Sequence, residues 1–276
     1  MADARRYLYG WGIALENEVS LRDDLRIRPI KLNDDVEWLK TKARTQYEYG
    51  MLCAFAGGIN FELELKADDD KEAAIGIWNA QWDLILLSIL RGAPVTWLFE
   101  SVTPHNQSPD RHTRVLGHAS RGGPWSKSVP FSSAEFTSYR DLEQRFHTML
   151  QEDRFVHAAS VAALSYSEPK PSIQMAAVWS GIEALLGFDH ELRFRIALAV
   201  ARILETDSSA RSFRFGDVKK LYDLRSKSVH GANIKPELLR DGLDRSLKLL
   251  CELVLAFVRK GSLLAAAEAD LLFLQN

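Results

Sequence analysis

The chain has 276 residues, 46% of them apolar, enough to bury the core of one large domain or two of ordinary size. Its formal net charge of −2 argues against a surface coated in positive charge for bulk nucleic-acid binding, and leaves room for a local basic patch. The two cysteines, Cys53 and Cys251, lie far apart in apolar contexts, which excludes closely paired zinc ligands and a disulfide scaffold and indicates a reducing compartment.

The start of the chain and its apolar runs indicate a cytoplasmic protein with no membrane partner. The opening residues, "MADARRYLYGWG", carry two arginines, and no apolar run of signal-peptide length follows them. The longest apolar stretches, such as residues 82–90, are too short to cross a bilayer. We therefore predict a cytoplasmic location.

The first part of the chain mixes strand and helix signals. Residues 7–15 and 57–67 carry aromatic or alternating apolar residues bounded by glycine or charge, which is the pattern of half-buried strands. Residues 34–50 and 70–92 are predicted helices, the second opening on an aspartate cluster that suits a helix N-terminus. These elements predict an α+β domain over residues 1–130, which offers no chemistry of its own and is assigned sensing, substrate presentation or regulation by default.

Residues 101–132 concentrate proline, glycine, serine and histidine with little periodicity, which predicts a long loop or inter-domain connection. Three histidines in this segment, His105, His112 and His118, invite a metal-site interpretation. Asp110 alone joins them as a carboxylate, and no helix fixes their spacing. We therefore expect no metal site here and no cofactor elsewhere.

Residues 131–276 carry helical signals throughout. The first predicted helix opens on a serine cap with a glutamate in its first turn, and large apolar residues then recur every three or four positions. The six predicted helices span residues 132–151, 152–169, 172–188, 191–205, 214–231 and 236–261. Because the connections between them are short, we predict an all-α helical bundle.

The segment "LYDLRSKSVHGA", residues 221–232, places Arg225 and His230 five residues apart near the end of the fifth helix. On an ideal helix these two side chains are about 140° apart and do not touch. Gly231 follows where a left-handed residue would end the helix, so His230 can turn toward the polar stripe of Tyr222, Arg225 and Ser226. The spacing suits two side chains that converge on a ligand in a cleft.

This segment also belongs to the densest basic stretch of an acidic chain. Two acids, Asp217 and Asp223, stand among six basic residues: Arg211, Arg214, Lys219, Lys220, Arg225 and Lys227. Phosphate groups favour such a patch. The structural interpretation stays open beside it, because helical arginines are usually solvated and histidine is common before a C-terminal glycine.

Three consecutive segments resemble one known family. They are "AAVWSGIEALLG" (176–187), "ELRFRIALAVARIL" (191–204) and "VKKLYDLRSKSVHGA" (218–232). Together they resemble the HEPN superfamily, specifically its ApeA-like group, over residues 133–262. Many HEPN enzymes have Asn, Asp or His directly after the motif arginine where this chain has Ser226, a departure that the ApeA-like group shares.

The resemblance implies a HEPN-type helical bundle that forms a homodimer, so that two Arg-x4-His motifs meet in one cleft. It implies a metal-independent RNA endonuclease, with tRNA among the candidate substrates, of the kind found in toxins and anti-phage defence effectors. Arg225 and His230 would then be the catalytic pair. Their chemistry fits, because histidine exchanges protons near neutral pH and arginine offers a planar fork to two phosphate oxygens.

Supporting roles follow for the neighbouring residues. Tyr222 and Ser226 would line the cleft, although a tyrosine at a helix interface is more often packing. Glu183 lies in the most apolar helix, where a carboxylate needs a partner, and it is expected to brace Arg225 or another arginine such as Arg195. The residues expected to bind RNA are Lys219, Lys220 and Lys227.

Two alternatives remain open at the level of the sequence. In the first, a catalytically silent HEPN dimer binds RNA, a nucleotide or a protein, and the N-terminal domain determines which. In the second, the leucine-rich helix 236–261 is chiefly an oligomerisation surface and Arg225 is a structural ion-pair residue. Burial of Arg225 against Glu183 without a cleft would favour the second alternative.

Overall fold

The protein begins with a β-sheet region and continues as a run of helices. A computed structural model describes residues 4–31, 40–41, 43–106, 114–115 and 129–265. The predicted order, an α+β part followed by a helical part, is confirmed.

The chain divides into two compact units. The first comprises Met1–Leu87 and Ala93–Asp141, and the second comprises Ser88–Gly92 and Leu142–Asn276. The sequence predicts a boundary at residue 130, and the first unit continues past that point.

The strands of the first unit form one large antiparallel sheet and one small pair. In the described residues they are β1 (Ala4–Trp11), β2 (Ile13–Ala14), β3 (Val19–Arg22), β4 (Leu25–Pro29), β5 (Phe61–Ala67), β6 (Thr96–Ser101), β7 (Arg114–Val115) and β8 (Val129–Pro130). Six of them pair in the order β3-β4-β5-β1-β6-β7, and β2 pairs with β8 in parallel. The predicted loop over residues 101–132 therefore contains two short strands, and most of its remaining residues lie outside the described ranges.

The central strands are buried on both faces. Residues 7–11 of β1 and 61–65 of β5 are all buried, so the prediction of half-buried strands is wrong. The cause is a second apolar layer, because helix α1 (Gln46–Phe55) contributes Leu52 to a cluster that includes Tyr9 of β1. The helix predicted over residues 34–50 does not end at residue 50, because α1 continues to Phe55. Much of the first part of that predicted range lies outside the described residues.

Gly10 is required where β1 and β6 approach each other. A Cβ atom at this position would lie 2.1 Å from the Thr96 carbonyl oxygen and 2.5 Å from the ring of Phe61. The β1–β6 register also shifts between Tyr9 and Gly10. A side chain at residue 10 would therefore separate the two strands.

The helix predicted over residues 70–92 forms as two helices, α2 (Asp70–Asn79) and α3 (Gln81–Arg91), that meet at Ala80. The predicted aspartate cap is confirmed, because the Asp69 carboxylate accepts a hydrogen bond of 2.8 Å from the Glu72 N–H. On the other side of the break, Asp83 is fully buried.

Asp83 is hydrogen-bonded to an arginine and a tyrosine of the first unit. It accepts two hydrogen bonds from Arg22, of 3.0 and 2.9 Å, and one of 2.6 Å from the Tyr139 hydroxyl.

Among the described residues, the segment Asp70–Arg91 has the length and composition of a membrane span, although 56% of its most apolar window is buried. A core helix of a globular protein passes the same test, and the cytoplasmic location stays a prediction.

All six helices predicted for the second half are present. They are α4 (Ser133–Met149), α5 (Asp153–Leu164), α6 (Pro171–Leu186), α7 (Leu192–Leu204), α8 (Ser208–Val229) and α9 (Pro236–Lys260). The serine cap of α4 is confirmed as a capping box, in which the Ser132 hydroxyl accepts from the Glu135 N–H and the Glu135 carboxylate accepts from the Ser132 N–H.

Helix α8 begins earlier than its periodicity predicts. The predicted start is residue 214, and the observed start is Ser208. The Asp207 carboxylate caps the helix by accepting hydrogen bonds from the N–H groups of Ser209 and Ala210, at 2.8 and 3.2 Å. The added turns are polar, so they carry a cap signal and no apolar stripe.

Helix α6 lies at the core of the second unit. It packs against α5, α8 and α9, and the predicted stripe of Met175, Val178, Trp179, Ile182 and Leu186 is buried along its length. Glu183 stands in this same helix, and its placement determines the position of the candidate site.

Candidate functional site

Helix α8 ends as the sequence predicts, on a left-handed glycine. Gly231 has a φ of 74°, and His230 is the C-terminal cap residue. The N–H of Gly231 donates to the Ser228 carbonyl and that of Ala232 to the Lys227 carbonyl, which is the hydrogen-bond pattern of a Schellman motif. This motif fixes the backbone beneath the His230 side chain.

Arg225 is half-buried and paired with Glu183. Its Nη2 lies 3.3 Å from Glu183 Oε1, and each of the two side chains is 23% exposed. The guanidinium also lies 5.7 Å from the ring centroid of Tyr222, whose ring contacts Trp179 edge to face. Tyr222 therefore packs between the core and the arginine, and Glu183 braces Arg225 as one of the two predicted partners.

Arg195, the other partner considered for Glu183, has different contacts. Its guanidinium lies over the ring of Phe188 and 2.8 Å from the imidazole of His190. Of the two arginines considered, Arg225 of the candidate motif is the one that lies beside the Glu183 carboxylate.

Three polar atoms around this pair are buried without a hydrogen-bond partner among the described residues. They are Arg225 Nε, Ser228 Oγ and Glu183 Oε1, whose 3.3 Å ion pair with Arg225 Nη2 does not have the geometry of a hydrogen bond. Buried polar atoms in proteins are almost always hydrogen-bonded, and exceptions are often found where a ligand or water completes the set. The local hydrogen-bonding capacity is therefore incomplete around Arg225.

His230 is exposed, and within the described part of the chain its ring makes no hydrogen bond or ion pair. A residue five positions beyond Arg225 would lie about 7.5 Å farther along the axis of an ideal helix and about 140° around it, and His230 is the cap residue where α8 ends. The Ser226 carbonyl accepts the backbone N–H of His230, and the Ser226 side chain is half-buried. Within the described part of one chain, no hydrogen bond joins the two candidate catalytic side chains.

The three lysines predicted to bind RNA do not share one surface. Lys220 and Lys227 are exposed and seven residues apart, which places them within about 20° of each other on the helix. Lys219 is turned away from them, with its Nζ 5.0 Å from the ring centroid of Phe215. We call the surface of Lys220, Lys227 and Phe213 the basic face of α8.

Phe213 was not predicted from the sequence as a functional residue. It lies seven residues before Lys220 and is 79% exposed, the largest exposure of any large apolar residue among those described. The sequence signal for Phe213 is its spacing of seven residues from Lys220, which in turn is seven residues before Lys227, so that all three lie on one helix face. This signal is weak, because a single aromatic residue on a charged helix face is as common at an ordinary surface as at a binding site.

The acids within the basic stretch are already paired. Arg193 donates two hydrogen bonds of 2.6 Å to Asp223, and this contact lowers the pKa of Asp223. Asp217 pairs with Arg245 of α9. Because both acids are engaged by arginines from neighbouring helices, the basic face keeps a surplus of positive charge.

Burial raises the pKa of Glu183, and Arg225 lowers it by a smaller amount. The folded protein therefore holds a proton at Glu183 more tightly than the unfolded chain does. The ionised carboxylate costs stability at a pH above its folded-state pKa, and that cost disappears as the pH falls through this value toward the reference of 4.5.

We expect Glu183→Gln to leave the free energy of unfolding unchanged or raise it at pH 8, because a neutral isostere avoids the cost of burying the carboxylate. The difference from wild type shrinks toward pH 5. Thermal unfolding followed by circular dichroism at the two pH values measures both effects, and Glu152→Gln, at an exposed position, is the matched control. A large loss of stability at pH 8 would instead show that the ion pair with Arg225 outweighs burial.

The histidines of the N-terminal half have a different arrangement. His105 Nδ1 and its backbone nitrogen both lie 2.9 Å from the carboxylate of Glu62, which is fully buried and also paired with Arg28. His112 and His118, with Asp110, lie outside the described residues. His105 thus serves as a partner of a buried carboxylate.

Comparisons with known proteins add nothing to these observations. The chain matches no family model, no curated protein and no solved structure.

Proposed function

We propose that the protein is a metal-independent RNA endonuclease of HEPN type, with Arg225 and His230 as its catalytic pair. The observation that carries the proposal is the end of α8, where an exposed imidazole follows a half-buried guanidinium with an unpaired Nε. Lys220 and Lys227 lie on the same helix and make no ion pair with other described residues. A basic helix that ends in a proton carrier suits a phosphodiester substrate.

The reaction uses the chemistry of RNA itself. The 2′-hydroxyl attacks the adjacent phosphorus, its proton passes to a histidine base, and the bond to the 5′-oxygen breaks as that oxygen receives a proton. The products are a 2′,3′-cyclic phosphate and a free 5′-hydroxyl. Arg225 stabilises the negative charge on the phosphorane oxygens, and His230 transfers the proton, an effect worth roughly 10²- to 10⁴-fold in rate.

A second copy of the chain supplies the complementary proton carrier. One histidine acts as base and the other as acid, so neither protomer holds both roles. Three large apolar residues at neighbouring helix ends support such a contact, because Ile173, Val229 and Leu238 are 50%, 45% and 53% exposed. Gly242 of α9 packs against Leu224 of α8, which brings two of these ends together.

From the resemblance to HEPN proteins we propose that the chain acts as a toxin or anti-phage defence effector, with RNA, including tRNA, as its substrate. The N-terminal sheet unit would then recognise a trigger or present the substrate. This part of the proposal follows the family rather than the geometry.

The test is cleavage of end-labelled tRNA and single-stranded RNA in excess EDTA, with analysis of the product ends. We expect cutting that resists EDTA and leaves 2′,3′-cyclic phosphate. Cutting that needs a divalent ion, or that leaves a 3′-hydroxyl, would contradict the proposal. Light scattering at micromolar protein concentration tests the dimer in parallel.

A second candidate is a silent module that binds RNA, a nucleotide or a protein through the same helix. The ion pair of Arg225 with Glu183 favours a structural role for Arg225, because the carboxylate already engages the guanidinium that would hold the phosphate. A module without a catalytic arginine would bind its ligand and not cut it. A folded, dimeric protein that binds RNA and never cuts it would establish this alternative.

A further inference from the structure

A cavity of about 370 Å³ opens between α7 and the first half of α8. Sites for small ligands in proteins begin near 300 Å³. Its walls combine apolar and cationic side chains, and neither Arg225 nor His230 is among them. We call it the α7–α8 pocket.

The apolar wall of the α7–α8 pocket is formed by two phenyl rings and Leu198. Phe194 and Phe215 contact each other edge to face, with ring centroids 5.6 Å apart and planes inclined by 81°. Phe194 is 51% exposed, so its ring is accessible to a planar group. Offset stacking and edge contacts are the usual arrangements for such a partner.

The polar wall of the α7–α8 pocket carries two guanidinium groups, Arg202 and Arg211. Neither forms an ion pair with a carboxylate of the described residues. The Nε of Arg211 donates to the Glu205 carbonyl oxygen at 3.0 Å, which fixes the side chain and leaves its terminal nitrogens for a ligand. The carboxylate of Glu205 is occupied by Arg214.

One acid, Asp207, directly precedes Ser208 of the pocket wall and is the N-cap residue of α8. Its carboxylate accepts hydrogen bonds from Ser209 and Ala210 and so serves the helix N-terminus. Its charge weakens the attraction of the pocket for anions without closing the pocket. Two guanidinium groups against one engaged carboxylate leave a positive balance, and arginine forms paired hydrogen bonds with phosphate.

We propose that the α7–α8 pocket binds one nucleotide, with the base against Phe194 and the phosphate between Arg202 and Arg211. A phosphate monoester carries up to two negative charges and matches the two guanidinium groups, while the planar base matches the accessible ring. The nucleotide is either a free 5′-mononucleotide or the 5′-phosphorylated terminal residue of an RNA chain, since both present a phosphate monoester and a base.

The pocket is separate from the candidate cleavage site. Arg211 lies fourteen residues before Arg225 on the same helix, about 21 Å along its axis. Binding in the pocket therefore does not depend on the proposed cleavage, and the two sites can be tested separately.

The experiment is titration of the full-length protein with AMP, adenosine and inorganic phosphate by calorimetry, and with a 5′-phosphorylated oligoribonucleotide by fluorescence anisotropy. The oligonucleotide is tested in a His230→Ala background so that it is not cut. We expect Arg202→Ala to weaken binding at least about tenfold, the usual loss for a charged hydrogen bond. Phe194→Ala weakens it roughly fivefold or more through lost stacking.

Matched controls lie outside the pocket. Arg240→Ala, in the same unit, and Ile75→Ala, in the first unit, replace an exposed arginine and a half-exposed apolar residue, and they leave affinity within about twofold. Circular dichroism confirms that each variant is folded. Because Phe194 is half-exposed, its substitution remains informative if the arginine variant is unstable.

Each outcome decides the question. Tighter binding of AMP than of adenosine or phosphate, lost in the pocket variants, identifies a free nucleotide as the ligand. Binding of the oligonucleotide alone, with the same losses, identifies a residue of an RNA chain. Phosphate that binds as tightly as AMP, affinities unchanged in the pocket variants, or no binding of either probe would overturn the proposal.

Discussion

Replacing His230 with alanine is expected to lower the rate of RNA cleavage by about 10²- to 10⁴-fold, because it removes the imidazole proposed as the proton carrier. The side chain is exposed, and the Schellman motif that ends the helix is made by backbone atoms of Ser228, Gly231 and their neighbours. The variant therefore keeps its fold. Single-turnover cleavage in EDTA, with enzyme in excess over end-labelled RNA, measures the loss in the chemical step.

Arg225→Ala is expected to have a similar effect, roughly 10²- to 10³-fold, through lost stabilisation of the phosphorane charge. It also leaves the half-buried carboxylate of Glu183 without its cation. The double variant Arg225→Ala with Glu183→Gln removes that problem, and it must remain inactive if the arginine acts on the substrate. Arg225→Lys keeps the charge and loses the planar fork, so a partial loss is expected.

The control for both substitutions is Lys227→Ala. Lys227 is exposed on the basic face of α8 and is placed here in binding alone. Its loss raises the RNA concentration needed for half-maximal rate and leaves the rate at saturation nearly unchanged. If His230→Ala behaved in the same way as Lys227→Ala, the imidazole would be a binding group and the catalytic assignment would fail.

The helical half of the protein is predictable because its signals are local. Periodic apolar residues, a capping box at Ser132 and a stop at Gly187 all act within a few residues of one another. The start of α8 and the end of α5 are the exceptions. The first turns of α8 are polar and only the Asp207 cap marks them, and α5 ends at Leu164, before the predicted stop at Pro169. Helix ends without an apolar stripe are therefore the least predictable feature of this half.

The sheet is less predictable because its strands are specified by distant partners. Strand β4 alternates over five residues and pairs with β5 across an intervening helix. Strand β6 has three consecutive buried residues, Trp97, Leu98 and Phe99, so it shows no alternation from which a strand could be recognised. Burial on both faces removes the period of two that distinguishes a strand.

One part of the candidate site was predictable from the sequence, and the neighbouring pocket was not. The contact of Glu183 with Arg225 is predictable, because a carboxylate in an apolar helix needs a cation and few were within reach. The α7–α8 pocket is not, because Phe194 and Phe215 come together only when two helices pack. The surroundings of Lys219 were not predictable either, because Lys219 lies over the ring of Phe215 while the adjacent Lys220 is exposed to solvent.

The largest effect on stability is expected at Trp179, which connects the core of the second unit to the candidate site. Its side chain is fully buried, its Nε1 donates to the Ser246 hydroxyl at 3.2 Å, and its ring supports Tyr222. We expect Trp179→Ala to lower the free energy of unfolding by about 3–5 kcal/mol, as large aromatic deletions in cores do. Urea unfolding followed by far-ultraviolet circular dichroism measures the loss.

Trp179→Phe separates the two roles of this residue. The variant keeps most of the buried volume and loses the hydrogen bond to Ser246, so it loses less stability than Trp179→Ala. The altered surface beneath Tyr222 displaces Arg225, so the rate of cleavage falls by a larger factor than the stability does. Trp78→Ala, at a half-exposed position, is the control and is expected to change stability by less than about 1 kcal/mol. Equal losses at Trp78 and Trp179 would show that Trp179 does not anchor the core. Full cleavage by Trp179→Phe would show that Arg225 is held by Glu183 alone.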